Sequence, residues 1–180
     1  NYLAGLAGKP LLDVDAPEAA EALDDVRGRI DHLINNPGHT RPATFHRRLG
    51  EILYAGCGVS RSEAGLTRAL EQVQELREEF WRDVRVTGTD DRLNQELEKA
   101  GRVADFLELA ELMITDALDR QESCGAHFRE EYALPDGEAK RDDERWCNVS
   151  AWETNPAGQH RRYQEPLRFE SVKLQVRNYR

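Results

Sequence analysis

SRSEAGLTRALEQVQELREEFWRDV, residues 60–84, is the stretch that decides the fold. Leu66, Leu70, Val73, Leu76, Phe80 and Val84 recur at steps of three and four, so they share one face of a helix. Ser60 and Glu63 stand where a capping box would satisfy two free backbone donors at its start. Thr87-Gly88 ends it. The stripe is too long for a strand and too polar for a membrane span. It predicts a soluble amphipathic helix that needs apolar neighbours.

Those neighbours lie on either side. A helix from about Pro42 to Ala55 carries Phe45, Leu49, Ile52 and Leu53 on one face, with Thr40 as a candidate cap. Gly56 and Gly58 break it. A longer helix is predicted from Thr89 or Asp90 to about Ser123, with Leu93, Leu97, Ala100, Ala104, Leu107, Ala110, Met113, Ile114 and Leu118 on its stripe. Loops of about four residues join the three, and short loops force antiparallel neighbours. An earlier helix is predicted from Asp15, its candidate cap, with Pro17 in the first turn. Asn35-Asn36-Pro37-Gly38 stops it. After Gly125 the texture changes. Trp146–Trp152 and Leu167–Val176 partly alternate around an Asn155-Pro156-Ala157-Gly158 loop, which predicts a β-hairpin. The expected fold is mainly α: an antiparallel three-helix bundle with a preceding helix and a C-terminal hairpin tail. Its parts are a linker and leading helix at 1–41, the bundle at 42–130, and an irregular, hairpin-bearing tail at 131–180.

Composition narrows the function. The chain has 180 residues, 39% of them hydrophobic and 33% charged, with a net charge of -9. Nucleic acid needs a cationic face, so binding it is not expected. No apolar run is long enough to span a bilayer, and no signal peptide is expected. Cys57, Cys124 and Cys147 form no CxxC pair. Neither a metal site nor a disulfide framework is expected. The first residue is Asn1 and the single methionine is Met113, so the chain is expected to be part of something longer. Gly56-Cys57-Gly58 is too short for a phosphate loop and reads as a helix–helix turn. No catalytic or cofactor-binding residue is expected.

Two clusters carry more information. In Glu122-Ser123-Cys124-Gly125-Ala126-His127-Phe128-Arg129, the long helix is expected to stop at Gly125. His127 and Arg129 then sit at its negative end, and Glu122 pairs with one of them. The second cluster, Arg141-Asp142-Asp143-Glu144-Arg145-Trp146, is a charged turn before a strand. Together they suggest a polar seam against another domain.

The two clusters resemble the C-terminal region of succinate dehydrogenase/fumarate reductase flavoprotein subunits, which carries E-S-R-G-A-H-x-R and then R-D-D-E. Gly58, Val59, Arg61, Glu63 and Leu66 resemble the family's turn into the preceding helix. Val176-Arg177-Asn178-Tyr179 resembles its closing I-R-x-Y. The similarity covers about residues 42–180 and suggests a long, divergent variant. Cys124 replaces the family's Arg, and Leu134–Lys140 is an insertion between the motifs. The resemblance implies a spectrin-repeat-like bundle. It also implies a full-length enzyme that interconverts succinate and fumarate on FAD, with the flavin and the catalytic residues upstream. An iron–sulfur subunit and, indirectly, a membrane quinone-binding subunit are the implied partners, at the inner face of the cell membrane. Glu122, Ser123, Gly125, His127, Arg129, Arg141, Asp142 and Asp143 carry over only as interdomain or structural residues. Rival readings are a related flavoenzyme, such as an aspartate oxidase or adenylylsulfate reductase, and a free-standing helical adaptor.

Overall fold

The structure is a computed structural model and describes residues 5, 7–9, 13–89, 92–155 and 158–175. The expected closing motif at 176–179 lies outside them, as do Asp90 and the Pro156-Ala157 half of the hairpin loop. The fold is a mainly helical bundle with a C-terminal antiparallel hairpin. Its helices are α1 (Pro17–Asn35), α2 (Pro42–Gly56), α3 (Glu63–Asp83), α4 (Gln95–Asp119) and the single turn α5 (Asp143–Trp146). Its strands are β1 (Ser60–Arg61), β2 (Phe128–Arg129), β3 (Asn148–Thr154) and β4 (His160–Pro166). The chain divides into two compact units, Asn1–Arg48 with Glu75–Phe106, and Leu49–Gln74 with Leu107–Arg180.

In the first unit the predicted stripe becomes core. Phe45 and Phe80 are fully buried and meet edge-to-face, with centroids 5.3 Å apart, a favoured aromatic geometry. Leu33, Leu76, Val84, Ala100 and Ala104 are buried in the same unit. The turn after α1 is held by Asp83. Its backbone oxygen accepts from the amides of His39 and Thr40, and its carboxylate accepts from the Thr40 hydroxyl at 2.5 Å. The Thr40 bond, then those from His39, hold the Asp83 carboxyl below the usual carboxylate range. Glycine is required at 38, where a Cβ would lie 2.2 Å from the Asp83 oxygen.

Helix starts differ from the sequence expectation. Ala16, not Asp15, is the N-cap of α1. Thr40 spends its hydroxyl on Asp83 instead of capping α2. At α3 the Ser62 hydroxyl accepts from the Gly65 amide, while Ser60 lies in β1 and donates to Glu130. The Ser60–Glu63 box is therefore not formed. α3 ends at Asp83, and Gly88 follows with φ +99. α4 begins late because Asn94 takes the amides of Glu96 and Leu97 at 3.1 Å each, and an Asn carbonyl there caps a helix well. Leu93 is left 92% exposed, off the stripe.

The second unit buries Leu49, Leu66, Val73, Leu107, Ala110, Ile114 and Ala117. Met113, expected on that stripe, is 47% exposed. α4 ends at Asp119, so Gly125 lies beyond it and does not stop it. The hairpin pairs Asn148 with Pro166 through Thr154 with His160. Its second strand is thus not Leu167–Val176: residues 167–175 form no strand. The loop decides this. Gly158 and Gln159 turn the chain back on Asn155 through four hydrogen bonds, and a tight loop pairs the residues that flank it. Trp152 and Arg162 seat the hairpin on α4, through the carboxylates of Asp116 and Asp119.

Phe80→Ala is expected to destabilise the chain by about 3–5 kcal/mol, since it removes a fully buried ring and its aromatic partner contact; urea unfolding monitored by far-UV circular dichroism measures it.

Candidate functional site

The two sequence clusters meet in the second unit. Beyond α4 the chain makes a reverse turn: Cys124 and His127 exchange backbone hydrogen bonds at 2.8 and 3.1 Å. Gly125 sits at the first central position with φ +60, which a type II′ turn requires. The glycine thus serves a hairpin-type turn and not a helix end.

That turn sends Arg129 back to α4. Its side chain is 1% exposed, and Nη1 donates to the oxygens of Ala117 and Leu118 at 2.8 and 3.2 Å. These carbonyls lack intrahelical partners, and the guanidinium adds a cation at the negative end of the helix. Nε donates to Glu131 at 3.1 Å, and the Tyr132 ring lies 5.5 Å away. The Ser123 hydroxyl, fully buried, accepts from the Arg129 amide and donates to its oxygen.

Glu122 joins the second cluster to the first. It is 2% exposed and accepts from Arg120 and from the Asp142 amide at 2.9 Å. Its cationic partner is therefore Arg120, and neither His127 nor Arg129. Asp142 caps α5 by accepting from the Arg145 amide. Arg141 pairs with Asp143 at 2.6 Å, and that hydrogen bond holds its pKa above the ordinary arginine value. Leu134–Lys140, the insertion, folds into a small turn with Gly137 at φ +86. It delivers the Lys140 oxygen to the Ser123 amide at 2.9 Å.

Sequence reasoning left Arg61 and Glu131 out of the candidate site, and the structure brings both to it. β1 and β2 pair in parallel, Ser60 with Phe128 and Arg61 with Arg129. Arg61 Nη1 donates to His127 Nδ1 at 2.9 Å. Nδ1 must then be unprotonated, so the Nε2 proton is donated to the Arg120 oxygen, 2.9 Å away. Glu131 accepts from the Glu63 amide, the first of α3, at 2.6 Å. Burial pushes its carboxyl up, but the amides of Glu63 and Glu131 and the Arg129 guanidinium outweigh this and hold it below the ordinary range. The only sequence signal for this meeting was that both stretches were singular; no local pattern specifies a parallel pairing 68 residues apart.

The glycines at 56 and 58 serve packing: a Cβ on Gly56 would lie 2.6 Å from the Ala69 Cβ, and one on Gly58 2.8 Å from the Tyr54 oxygen. Two of the first α3 amides, those of Glu63 and Gly65, are taken by Glu131 and Ser62. Among the described residues no helix is long and apolar enough to cross a membrane.

Helical bundle, hairpin and paired motifs together define a class, the C-terminal domain of a fumarate reductase or succinate dehydrogenase flavoprotein. Residues 46–179 match the sequence model of a family described as fumarate reductase flavoprotein C-term, and the chain belongs to that family. The fumarate reductase flavoprotein subunit of Proteus vulgaris is 30% identical over 162 residues, spanning 88% of this chain and 25% of that protein. An E. coli quinol fumarate reductase superimposes with a TM-score of 0.76 at 28% identity, over 93% of this chain and 27% of that one. Adenylylsulfate reductase from Archaeoglobus fulgidus shares the fold, with a TM-score of 0.70 at 17% identity, over 95% of this chain and 27% of that one. The chain thus spans about a quarter of the length of these relatives.

His127 sets a pH dependence. Burial pushes its pKa below the ordinary value; the Arg120 carbonyl opposes this, and the charges of Arg61, Arg120 and Arg129 add to the depression. The unfolded chain therefore binds more protons than the folded one. The contribution of His127 is fully present above about 6.5, its unfolded value, and is lost as pH falls from there toward the folded value. Urea midpoints are expected to drop between about pH 7.5 and 5.5, a window set by the ordinary histidine value, and His127→Gln is expected to flatten that part of the profile.

Proposed function

We propose that this chain is the C-terminal domain of a flavoprotein subunit that interconverts succinate and fumarate. Its task is mechanical and electrostatic: it braces the FAD-binding part of the polypeptide and helps form the surface that docks an iron–sulfur subunit. FAD and the catalytic residues lie upstream, in the three quarters of the relatives' length that this chain does not span. Electrons pass from the flavin to the iron–sulfur subunit and on to a membrane quinone, so the assembly is peripheral to the inner face of the membrane through its partners. The division into a leading segment at 1–41, a bundle at 42–130 and a tail at 131–180 belongs to the same proposal.

The carrying observation is the linkage of the two motifs, Glu122 to the Asp142 amide and Arg129 to the end of α4, in a chain matched by the family over residues 46–179. It supports a stiff element that presents Glu122, Ser123, Gly125, His127, Arg129, Arg141, Asp142 and Asp143 in one place. A cleft of about 350 Å³ in the same unit supports it too. Leu109 and Met113, 55% and 47% exposed, line it with Trp146 and Trp152, an apolar surface suited to being covered. Shared fold with adenylylsulfate reductase supports a second reading, the corresponding domain of another flavoenzyme, at the level of fold.

The isolated chain is expected to bind no FAD and to show no dye-linked succinate oxidation; stoichiometric flavin or turnover would overturn the proposal. In the full-length protein, His127→Ala or Asp142→Ala is expected to weaken domain docking or subunit assembly more than the flavin chemistry of correctly assembled enzyme. Gel filtration and turnover per flavin separate the two. Normal assembly with collapsed turnover would place His127 in contact with substrate or flavin instead.

A further inference from the structure

We propose that Arg61 is a docking contact that receives a carboxylate side chain from the flavin-binding part of the polypeptide, a reading that rests on the bracing role above. Four arginines of this unit each meet a carboxylate: Arg120 with Glu122, Arg129 with Glu131, Arg141 with Asp143, and Arg162 with Asp119. Arg61 is half-buried yet meets none among the described residues. Its acceptors are neutral, the Gly58 oxygen for Nε at 2.9 Å and His127 Nδ1 for Nη1 at 2.9 Å. The carboxylates that follow directly after β2 are engaged elsewhere: Glu130 accepts from Ser60, and Glu131 from the Glu63 amide and Arg129.

Two fixed bonds orient the guanidinium and leave Nη2 and the second Nη1 proton without an acceptor among the described residues. These remaining N–H groups can donate to a carboxylate, whose oxygens suit a bidentate guanidinium contact. A half-desolvated cation with no counter-charge is costly, and an arriving carboxylate removes that cost while forming charge-assisted bonds. Orientation paid in advance by Gly58 and His127 strengthens the contact, because little side-chain freedom is left to lose on docking. His127 is thus a positioning residue: only its neutral form, with Nδ1 free to accept, holds Arg61 this way.

Zero-length carbodiimide coupling in the full-length flavoprotein carrying Arg61→Lys tests the contact, with crosslinked peptides identified by mass spectrometry. The expected result is an amide between the R61K side chain and an Asp or Glu upstream of this chain. Lys140 and Lys173 are internal references. If they couple to the upstream part while R61K couples only within this chain or to a second copy, the Arg61 contact is overturned and the bracing role stands. If no lysine of this chain reaches the upstream part, the bracing role falls and the contact with it. Should Arg61→Lys fail to fold, phenylglyoxal labelling of the unsubstituted protein decides. Arg61 is expected to react at least tenfold more slowly in the full-length protein than in the isolated 180-residue chain, and equal rates overturn the contact.

Discussion

The guanidinium of Arg129 is the point on which the second unit depends. It is almost wholly buried, and burial of a cation is tolerable only where every donor finds a strong acceptor. Arg129 answers much of that demand: Nη1 takes the two carbonyls that α4 leaves unpaired, and Nε takes the Glu131 carboxylate. Each partner solves a problem for another. The helix end gains a cap, Glu131 gains a cation, and Glu131 in turn satisfies the first amide of α3. A single buried charge therefore ties a helix end, a strand and a helix start.

The remaining motif residues keep that charge in place. Gly125 permits the turn that brings Arg129 back, and Ser123 clamps both backbone groups of Arg129 with one hydroxyl. Glu122 passes the order on to Asp142, whose side chain starts α5 and so places Trp146. Glu122, Ser123 and Asp142 each hold a backbone group with a side-chain oxygen, which favours one arrangement over near alternatives. Such rigidity suits a domain whose proposed work is to hold another in position. It also explains why the insertion at 134–140 is tolerated: its turn is satisfied internally and still supplies the Lys140 oxygen to Ser123.

Arg61 and His127 differ from the rest of the network. Their bond joins two groups that are both proton donors at low pH, so it exists only while His127 is neutral. Three guanidiniums, those of Arg61, Arg120 and Arg129, surround the ring and favour that state.

The helices were legible in the sequence because their signal is local and periodic. Leu66, Val73, Leu76 and Phe80 lie one helical face apart, and hydrophobic burial acts on each in the same direction. The paired motifs were legible as singular clusters, and the helix-end role of Arg129 followed from its charge. Helix starts were less legible, since several hydroxyls and carboxylates compete for the same amides. Ser60 and Thr40 were drawn away by Glu130 and Asp83, partners distant in the chain. The second strand was misplaced because HRRYQEP is polar, while the loop at Asn155–Gln159 and not the apolar pattern sets the register. Tertiary structure alone decided that β1 pairs with β2, that Arg61 meets His127, and that Glu131 caps α3. These contacts depend on where two distant segments arrive, and no local propensity encodes an arrival.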